Sequence, residues 1–374
     1  MNRFPLFRYN RFKRGHDNFI GLFRIDLLVQ EYGFSREIAE RKLFYRTAQR
    51  AEIRAKGRCK FGMKDKTVHI LLAAYSGERY IEDQIGSLMN QTADNWKLLV
   101  RDDCSHDNTV RIIEEYRRNH PEKIVFLGTD AHNRGVKNNF NFLLQASDSD
   151  YCMLCDQDDV WLPDKLEVTL SRMIAQEERY GRETPILVHT DMTVVDAGLK
   201  PRHRSFVKYQ NINPTRGSAF HRLLMQNVVT GCTVMINRAL KELVLPIPES
   251  AVVHDWWMAL AASAMGVIDY LGVPTVLYRQ HDDNVIGARI SGFRSLAHIH
   301  NALHRTKKAI SSSIVQSQAF FSRYGTKLGK RNAEVCEAFG NLSRDSFIKK
   351  RYQLVKYGFS MCGLIRNMRM FVSL

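Results

Sequence analysis

The chain has 374 residues, 44% of them hydrophobic, and a net charge of +16, so it can bury a substantial core in one large domain with appendages or in two domains. The positive charge lies at the two ends, because residues 1–66 carry a net +10 and residues 289–374 a net +13, whereas residues 67–288 carry −7. This distribution argues against a nucleic-acid-binding protein. The lack of an uncharged apolar run of about 18 residues excludes a membrane-spanning one.

Residues 1–66 precede the regularly patterned part of the chain. Their stretch SREIAERKLFYRTAQRAEIRAK is rich in strong helix formers and predicts a short helical extension. This basic extension either docks a partner or lies near a membrane, and both interpretations stay open.

From Thr67 the sequence alternates between strand and helix patterns. The apolar stretches TVHILLAAY, WKLLVRDD, KIVFLG and DYCMLCD predict strands. The segments between them place apolar residues at helical spacing, as Ile81, Ile85 and Leu88 do. Such alternation is typical of an α/β fold with a mainly parallel sheet and helices on both sheet faces.

Polar side chains follow three of these strands. The first strand is followed by YSGE at residues 75–78, the second by Asp102 and Asp103, and the strand DYCMLCD by QDD at residues 157–159. Because the carboxyl ends of parallel strands meet at one edge of a sheet, where ligands bind, we expect an acidic binding site there. An ordinary polar turn is the alternative at any single strand end.

Asp156 and Asp158 form a D-x-D motif. Two carboxylates so spaced at a strand end can hold one divalent cation, directly or through water, and their oxygens suit Mg²⁺ or Mn²⁺. Such a cation keeps open positions for the phosphates of a substrate. A surface turn without a metal is the competing interpretation of an isolated D-x-D.

The later part of the chain is less regular. We predict strands at ILVHTDMTVVD, CTVMIN and VIDYLGVPTVLYRQH, and helices around AFHRLLMQ and HDWWMALAASAMG. Residues 289–374 are predicted to be helical, and their final stretch mixes basic and apolar residues. That mixture is typical of a helix in the headgroup layer of an anionic membrane, and equally of an amphipathic helix packed on the folded domain.

Six motifs occur in order along the chain: AAYSGERYIEDQIGSLMNQT, LLVRDDCSHDNT, NRGVKNNFNFLL, CDQDDVW, HDWW and YRQHDDNVIG. Together they resemble the family 2 glycosyltransferases of the GT-A fold, and most of all their rhamnosyltransferase-like branch, which builds bacterial surface polysaccharides. The resemblance covers residues 67–288. It implies a GT-A domain over 67–288, between a basic helical extension (1–66) and a basic helical region (289–374).

The resemblance also implies roles for single residues at the donor end of the site. The nucleoside of a UDP- or dTDP-sugar would contact Ala73, Tyr75, Glu78 and Asp102. Asp156 would lie near the ribose or the water ligands of the metal.

Asp158 would be the direct metal ligand. His281 would close the site onto the metal or the diphosphate, with a purely structural histidine as the alternative. Asp255 matches the general base of the family, which takes the proton of an acceptor hydroxyl as that hydroxyl attacks the anomeric carbon. Without the resemblance, Asp255 is a helix N-terminal charge. Lys137 would approach the diphosphate, although a solvated helix residue is favoured slightly.

Four further residues receive more modest expectations. Asp103 and Asp107 are expected to be structural, Asp107 as a helix cap. Trp256 and Trp257 are candidates for stacking on an acceptor sugar, with one of the two expected to lie in the core.

The resemblance implies an inverting, metal-dependent glycosyltransferase that moves a sugar such as rhamnose to a hydroxyl of a glycan or lipid-linked acceptor. The alternatives are an inactive GT-A-like scaffold or nucleotide-binding protein and, less favoured, a sugar nucleotidyltransferase. The partners would be the nucleotide sugar, the acceptor and an anionic membrane surface, but no nucleic acid. The seven scattered cysteines favour a reducing, cytoplasmic location, extending to the inner face of the plasma membrane.

Overall fold

A mixed nine-stranded sheet runs through the part of the chain that the structure describes. Apolar β-favouring runs such as VHILLAA form its central strands, which are buried along almost their whole length. The strands are β1 (Val68–Ala74), β2 (Trp96–Asp102), β3 (Ile124–Thr129), β4 (Tyr151–Asp156), β5 (Val160–Trp161), β6 (Ile186–Asp196), β7 (Pro201–His203), β8 (Val234–Asn237) and β9 (Val267–Gln280).

Helices connect the strands and continue to the C-terminus. The helix predicted at AFHRLLMQ is reduced to the single turn α7. The helices are α1 (Ile81–Met89), α2 (Thr109–Asn119), α3 (Val136–Ala146), α4 (Lys165–Tyr180), α5 (Phe206–Tyr209), α6 (Pro214–Gly217), α7 (Phe220–Leu223), α8 (Arg238–Val244), α9 (His254–Met265), α10 (Leu296–Tyr324), α11 (Lys330–Gly340), α12 (Phe347–Tyr357) and α13 (Leu364–Ser373).

The computed structural model describes residues 66–281 and 296–374, all of which belong to one compact unit. The helical extension predicted for residues 1–66 lies outside the described residues except for Lys66. The predicted domain boundary at 288/289 also lies outside them and stays a prediction.

The strand order is β3-β2-β1-β4-β8-β6-β9-β5, with β7 paired to β6. Strands β3, β2, β1 and β4 are parallel to one another, and β6 is parallel to β9. Strand β8 lies between β4 and β6 and is antiparallel to both. The expected GT-A architecture, a mixed and mainly parallel sheet, is therefore confirmed.

Both faces of the sheet are covered. Leu71 of β1 belongs to the main apolar cluster, together with Phe140 of α3 and Trp257 of α9. The side chains of Ile70 and Leu72 point to the opposite face, because neighbours on a strand alternate, and they are also fully buried. The two faces thus form two apolar layers, as the strand–helix alternation predicts.

The C-terminal helices belong to the same core. On α10, the rings of Phe320 and Tyr324 lie 5.3 and 5.9 Å from the ring of Trp257. Trp257 is fully buried, and Trp256 donates its indole N–H to the carbonyl of Leu223 at 2.6 Å. Both tryptophans are core residues, so the suggestion that one of them offers a platform for an acceptor sugar is wrong.

Replacing Phe320 should show that α10 is an integral part of the fold. Phe320→Ala is expected to lower the free energy of unfolding by about 3–5 kcal/mol, because it leaves a cavity beside Trp257. Val315→Ala on the same helix is the control, since Val315 is 51% exposed, and it should cost less than about 0.5 kcal/mol. Urea unfolding checks both values. A loss below about 1 kcal/mol for Phe320→Ala would show that the sheet domain is stable without α10.

Candidate active site

The register of the parallel strands brings the predicted donor-site residues to one edge. Ala73 pairs with Asp156 across β1 and β4, and Ala74 pairs with Asp102 across β1 and β2. The carboxyl ends of these three strands therefore end side by side. Ala73, Asp102 and Asp156 lie at the same edge of the sheet, as expected.

The loop after β1 is joined to the loop after β4. The backbone N–H of Tyr75 donates to Gln157 Oε1 at 2.8 Å, and Gln157 Nε2 donates to the carbonyl of Tyr75 at 2.7 Å. Gly77 permits this approach, because a Cβ at that position would meet Gln157 Oε1 at 2.3 Å. The ring of Tyr75 stays exposed, so it is accessible for packing against a base.

Glu78 and Asp102 also hold loops in place. Glu78 Oε2 accepts hydrogen bonds from the backbone N–H and the side-chain amide of Asn108, both at 2.9 Å. Asp102 is fully buried and accepts from the backbone N–H of Ser105 at 2.9 Å and from its hydroxyl. The contacts with a nucleoside assigned to Glu78 and Asp102 stay predictions.

Asp103 and Asp107 make structural contacts, as expected. The carboxylate of Asp103 accepts the backbone N–H groups of Arg134 and Gly135, both at 2.8 Å, and so ties the loop before α3 to the end of β2. Asp107 accepts the backbone N–H of Thr109, the first residue of α2, at 3.0 Å.

Lys137 also serves the structure of the loops. Its ammonium group donates to the backbone carbonyls of Glu249 and Ala251 at 2.6 and 3.2 Å, and lies 3.2 Å from the Glu249 carboxylate. It ties α3 to the loop before α9. These bonds speak against the suggested approach to a diphosphate.

Three carboxylates lie on the loop after β4. Asp158 Oδ2 lies 2.9 Å from Nε2 of His281, which follows β9. Asp159 is fully buried and accepts the backbone N–H of Arg279 at 3.1 Å. Burial, followed by the charges of Asp158 and Asp255, raises the pKa of Asp156 to about 7. The structure thus brings Asp156, Asp158 and His281 together, as expected.

Asp255 lies across from this loop, in the first turn of α9. It accepts the backbone N–H of Gly231 at 2.9 Å and Nδ2 of Asn227 at 3.1 Å. Burial raises the pKa of Asp255 to about 6, although these hydrogen bonds oppose the shift. Its charge contributes to the raised pKa of Asp156, so the two carboxylates share one site. A carboxylate held in this way can accept a proton close to neutral pH.

These side chains fit a hard divalent cation. Donor atoms of Asp156, Asp159 and Cys232 also lie within 4.8 Å of one another. Burial raises the pKa of the Cys232 thiol well above its usual value, so this thiol stays protonated and is a poor ligand for Mg²⁺ or Mn²⁺. The carboxylates of Asp156 and Asp158 with the imidazole of His281 remain the better ligand set, and a cation would relieve the repulsion at Asp156.

Sequence reasoning gave no role to two buried cations near the acidic loop. Arg279 is 3% exposed and contacts the loop directly. Lys165 is fully buried, with its ammonium 3.4 Å from Thr275 Oγ1, and burial lowers its pKa to about 8. The signal for Arg279 was present, since it lies two residues before His281 in the motif YRQH.

Comparison with known proteins decides the family. Residues 69–243 match the model of the family "Glycosyl transferase family 2". The chain carries a family 2 glycosyltransferase domain. The predicted enzyme class, a glycosyltransferase, is thereby confirmed, and nucleotide sugars are the donors of this family.

Relatives are found among bacterial enzymes. The chain is 26% identical to "dTDP-rhamnosyl transferase RfbG" of Shigella flexneri over 69% of its own length and 88% of the relative. It is 28% identical to "UDP-Glc:alpha-D-GlcNAc-diphosphoundecaprenol beta-1,3-glucosyltransferase WfgD" of Escherichia coli over 48% of its own length, and spans 63% of that relative. Among solved structures, S. aureus TarS 1–349 in complex with UDP-GlcNAc is similar with a TM-score of 0.46 and 14% identity, covering 82% of this chain and 89% of that one.

The acid limb of the pH–rate profile should depend on Asn227. Because its amide donates to Asp255 Oδ1, Asn227→Ala removes a bond that favours the ionised carboxylate and raises the pKa of Asp255 further. We expect the limb, near pH 6 in the wild type, to move up by about one pH unit. Sugar transfer measured between pH 5 and 9 checks this. An unmoved limb would show that the titration of Asp255 does not govern the rate.

Proposed function

We propose that the protein is an inverting, metal-dependent glycosyltransferase of bacterial surface polysaccharide synthesis. It transfers a sugar, rhamnose in the first instance, from a UDP or dTDP donor to a hydroxyl group of a glycan or lipid-linked acceptor. The donor lies along the carboxyl edge of β1, β2 and β4, and the acceptor hydroxyl approaches Asp255.

The observation that carries this proposal is the position of Asp255 relative to the acidic loop. Asp255 belongs to α9, about 100 residues after Asp156 in the chain, yet its charge acts on Asp156 within one buried site. A carboxylate with a pKa of about 6 is ionised at neutral pH and basic enough to take a proton from a hydroxyl as that hydroxyl attacks. This arrangement supports a single displacement, which inverts the anomeric centre.

Each part of the site has a role in that displacement. Tyr75 packs on the base of the donor, and Asp102 and Glu78 shape the pocket at the ends of β2 and α1. Asp156, Asp158 and His281 would hold Mg²⁺ or Mn²⁺, which when bound neutralises charge on the leaving diphosphate. Asp255 holds the acceptor proton at its carboxylate.

The relatives support the substrate classes of this proposal. The Shigella flexneri relative is named a dTDP-rhamnosyl transferase. The Escherichia coli relative is named for transfer from UDP-Glc to a diphosphoundecaprenol-linked sugar. A dTDP- or UDP-linked donor and a lipid-linked acceptor are therefore the first substrates to test.

Asp255→Asn should separate donor binding from transfer. Because the asparagine side chain cannot accept the proton, transfer is expected to fall by about 10²–10⁴-fold while the dissociation constant for UDP with Mn²⁺ changes little. Transfer from radiolabelled dTDP-rhamnose and UDP-sugars, together with calorimetric UDP binding, measures both. Asp158→Ala is the matched comparison and should lose Mn²⁺-dependent UDP binding itself. Transfer unchanged in Asp255→Asn would remove this residue from the mechanism.

We also propose that the protein works on an anionic membrane surface, the inner face of the plasma membrane. Among the described residues, no helix combines the length and apolar content that crossing a bilayer requires. Helices α12 and α13 instead present exposed apolar side chains at i, i+4 and i+8 spacing, here called the C-terminal apolar face. Its members are Phe347, Ile348, Tyr352, Val355, Leu364, Ile365, Met368, Phe371 and Val372.

Contacts between the two helices bring the parts of this face together. Arg351 of α12 donates to the carbonyl of Phe371 at 2.7 Å, and its guanidinium lies 3.6 Å from the ring centroid of Phe347. The exposed Lys349 and Lys356 accompany the apolar side chains. An apolar surface with basic groups beside it complements the acyl boundary and the anionic headgroups of a bilayer.

Serine substitutions on the C-terminal apolar face should release the protein from vesicles. The triple variant Ile348→Ser, Val355→Ser, Leu364→Ser changes side chains that are 77–80% exposed, so the fold should be kept. We expect its binding to phosphatidylglycerol-rich vesicles to fall at least about tenfold in a sedimentation assay. The control carries serine at Val125, Val252 and Val315, which are exposed elsewhere. Equal binding of both variants, or self-association of the wild type through this face in light scattering, would contradict the membrane role.

A further inference from the structure

Arg279, near the end of β9, makes hydrogen bonds to three other parts of the chain. Its Nε donates to the backbone carbonyl of Asp158 at 2.9 Å, and Nη1 donates to the carbonyl of Ala197 at 2.6 Å. Nη2 donates to the carboxylate of Asp83 at 2.7 Å. The side chain is almost completely buried, so these bonds are shielded from water.

These bonds join the elements that form the donor end of the site. Asp158 lies on the acidic loop, Ala197 follows β6, and Asp83 lies in the first turn of α1, after the loop with Tyr75 and Glu78. The backbone N–H of Arg279 also donates to Asp159 at 3.1 Å. One residue thus fixes the main chain on either side of the Asp158–Asp159 peptide.

A second set of contacts runs from Arg279 to His281 through Tyr80. The guanidinium lies 4.6 Å from the ring centroid of Tyr80, and that ring lies 4.7 Å from the imidazole of His281 at an angle of 37°. His281 Nε2 lies 2.9 Å from Asp158 Oδ2. Arg279 therefore acts on Asp158 from two sides, through the backbone of Asp158 and through the ring that supports His281.

Arginine is the side chain that this arrangement requires. Its planar fork presents donors in different directions at fixed angles and stays ionised at every physiological pH. The single nitrogen of lysine cannot reach the carbonyls of Asp158 and Ala197 and the carboxylate of Asp83 in the same geometry. The fixed positive charge also offsets part of the negative charge of the acidic loop.

We propose that Arg279 is a positioning residue that holds Asp158 and His281 in the geometry that receives the divalent cation. This inference rests on the metal requirement of the proposed function. Partners that orient metal ligands typically change metal affinity by about 10–100-fold when they are removed. Arg279 does not touch the substrate itself.

Mn²⁺ binding to the purified full chain tests the inference without an activity assay. The probe is Mn²⁺ alone and then Mn²⁺ with UDP, with free Mn²⁺ followed by electron paramagnetic resonance. Arg279→Lys should weaken Mn²⁺ binding by about 10–100-fold. Asp83→Asn removes only one of the three partners and should weaken it by less than about threefold.

The matched control is Arg172→Lys. Arg172 makes a two-bond pair with Asp269 at the other end of β9, so it loses a similar interaction far from the acidic loop, and its Mn²⁺ affinity should equal that of the wild type. Should Arg279→Lys not fold, Tyr80→Leu tests the same assembly, because it removes only the ring between Arg279 and His281.

The outcomes separate two failures. A wild type that binds no Mn²⁺ overturns the metal requirement of the proposed function, and the inference with it. A wild type that binds Mn²⁺ and an Asp158→Ala variant that does not, together with Arg279→Lys or Tyr80→Leu at wild-type affinity, overturns the role of Arg279 alone.

Discussion

Mutual repulsion among buried carboxylates is the constraint on which the rest of this structure depends. The register of β1, β2 and β4 places Asp102 and Asp156 at one edge, and the following loop adds Asp158 and Asp159. A carboxylate removed from water and close to others holds its proton more tightly, as the raised pKa of Asp156 shows. The fold can keep this charge only because specific groups stabilise it.

Three kinds of group provide that stabilisation. Backbone N–H groups bind Asp103, Asp159 and Asp255. The guanidinium of Arg279 and the imidazole of His281 contact the acidic loop from β9 and the residue after it. Negative charge nonetheless remains in excess at Asp156, and we attribute this excess to the cation and diphosphate that the site is built to receive. The charge that makes the apoprotein less stable is the same charge that supports function.

Much of the fold could be predicted from the sequence, because its signals are local. Apolar runs of strand length and helical spacing identify β1 to β4 and the helices between them, and the parallel register then follows from their alternation. The position of β8 between β4 and β6 could not be predicted in this way. Its antiparallel pairing depends on contacts between residues about 50–80 positions apart, which no local pattern records.

The site divides along the same line. Asp156 and Asp158 could be located because they end a buried strand, and Asp255 because it belongs to a family motif. Arg279 was missed, since its importance arises only when α1, β6 and the acidic loop converge on it. Trp256 and Trp257 were misjudged for a similar reason: the partners that bury Trp257 lie on α10, about 65 residues later. Exposure and burial are tertiary properties, so the sequence could show that the C-terminal helices are amphipathic but not which side faces outward.

The most direct test is the anomalous diffraction of Mn²⁺ in crystals grown with UDP and Mn²⁺. We expect one strong anomalous peak between the carboxylate of Asp158 and the diphosphate, with the base beside Tyr75 and the carboxylate of Asp255 facing the open side. Nucleotide bound without a metal peak, or a peak away from the loop of residues 156–159, would contradict the claim that this acidic edge exists to share a cation with a diphosphate.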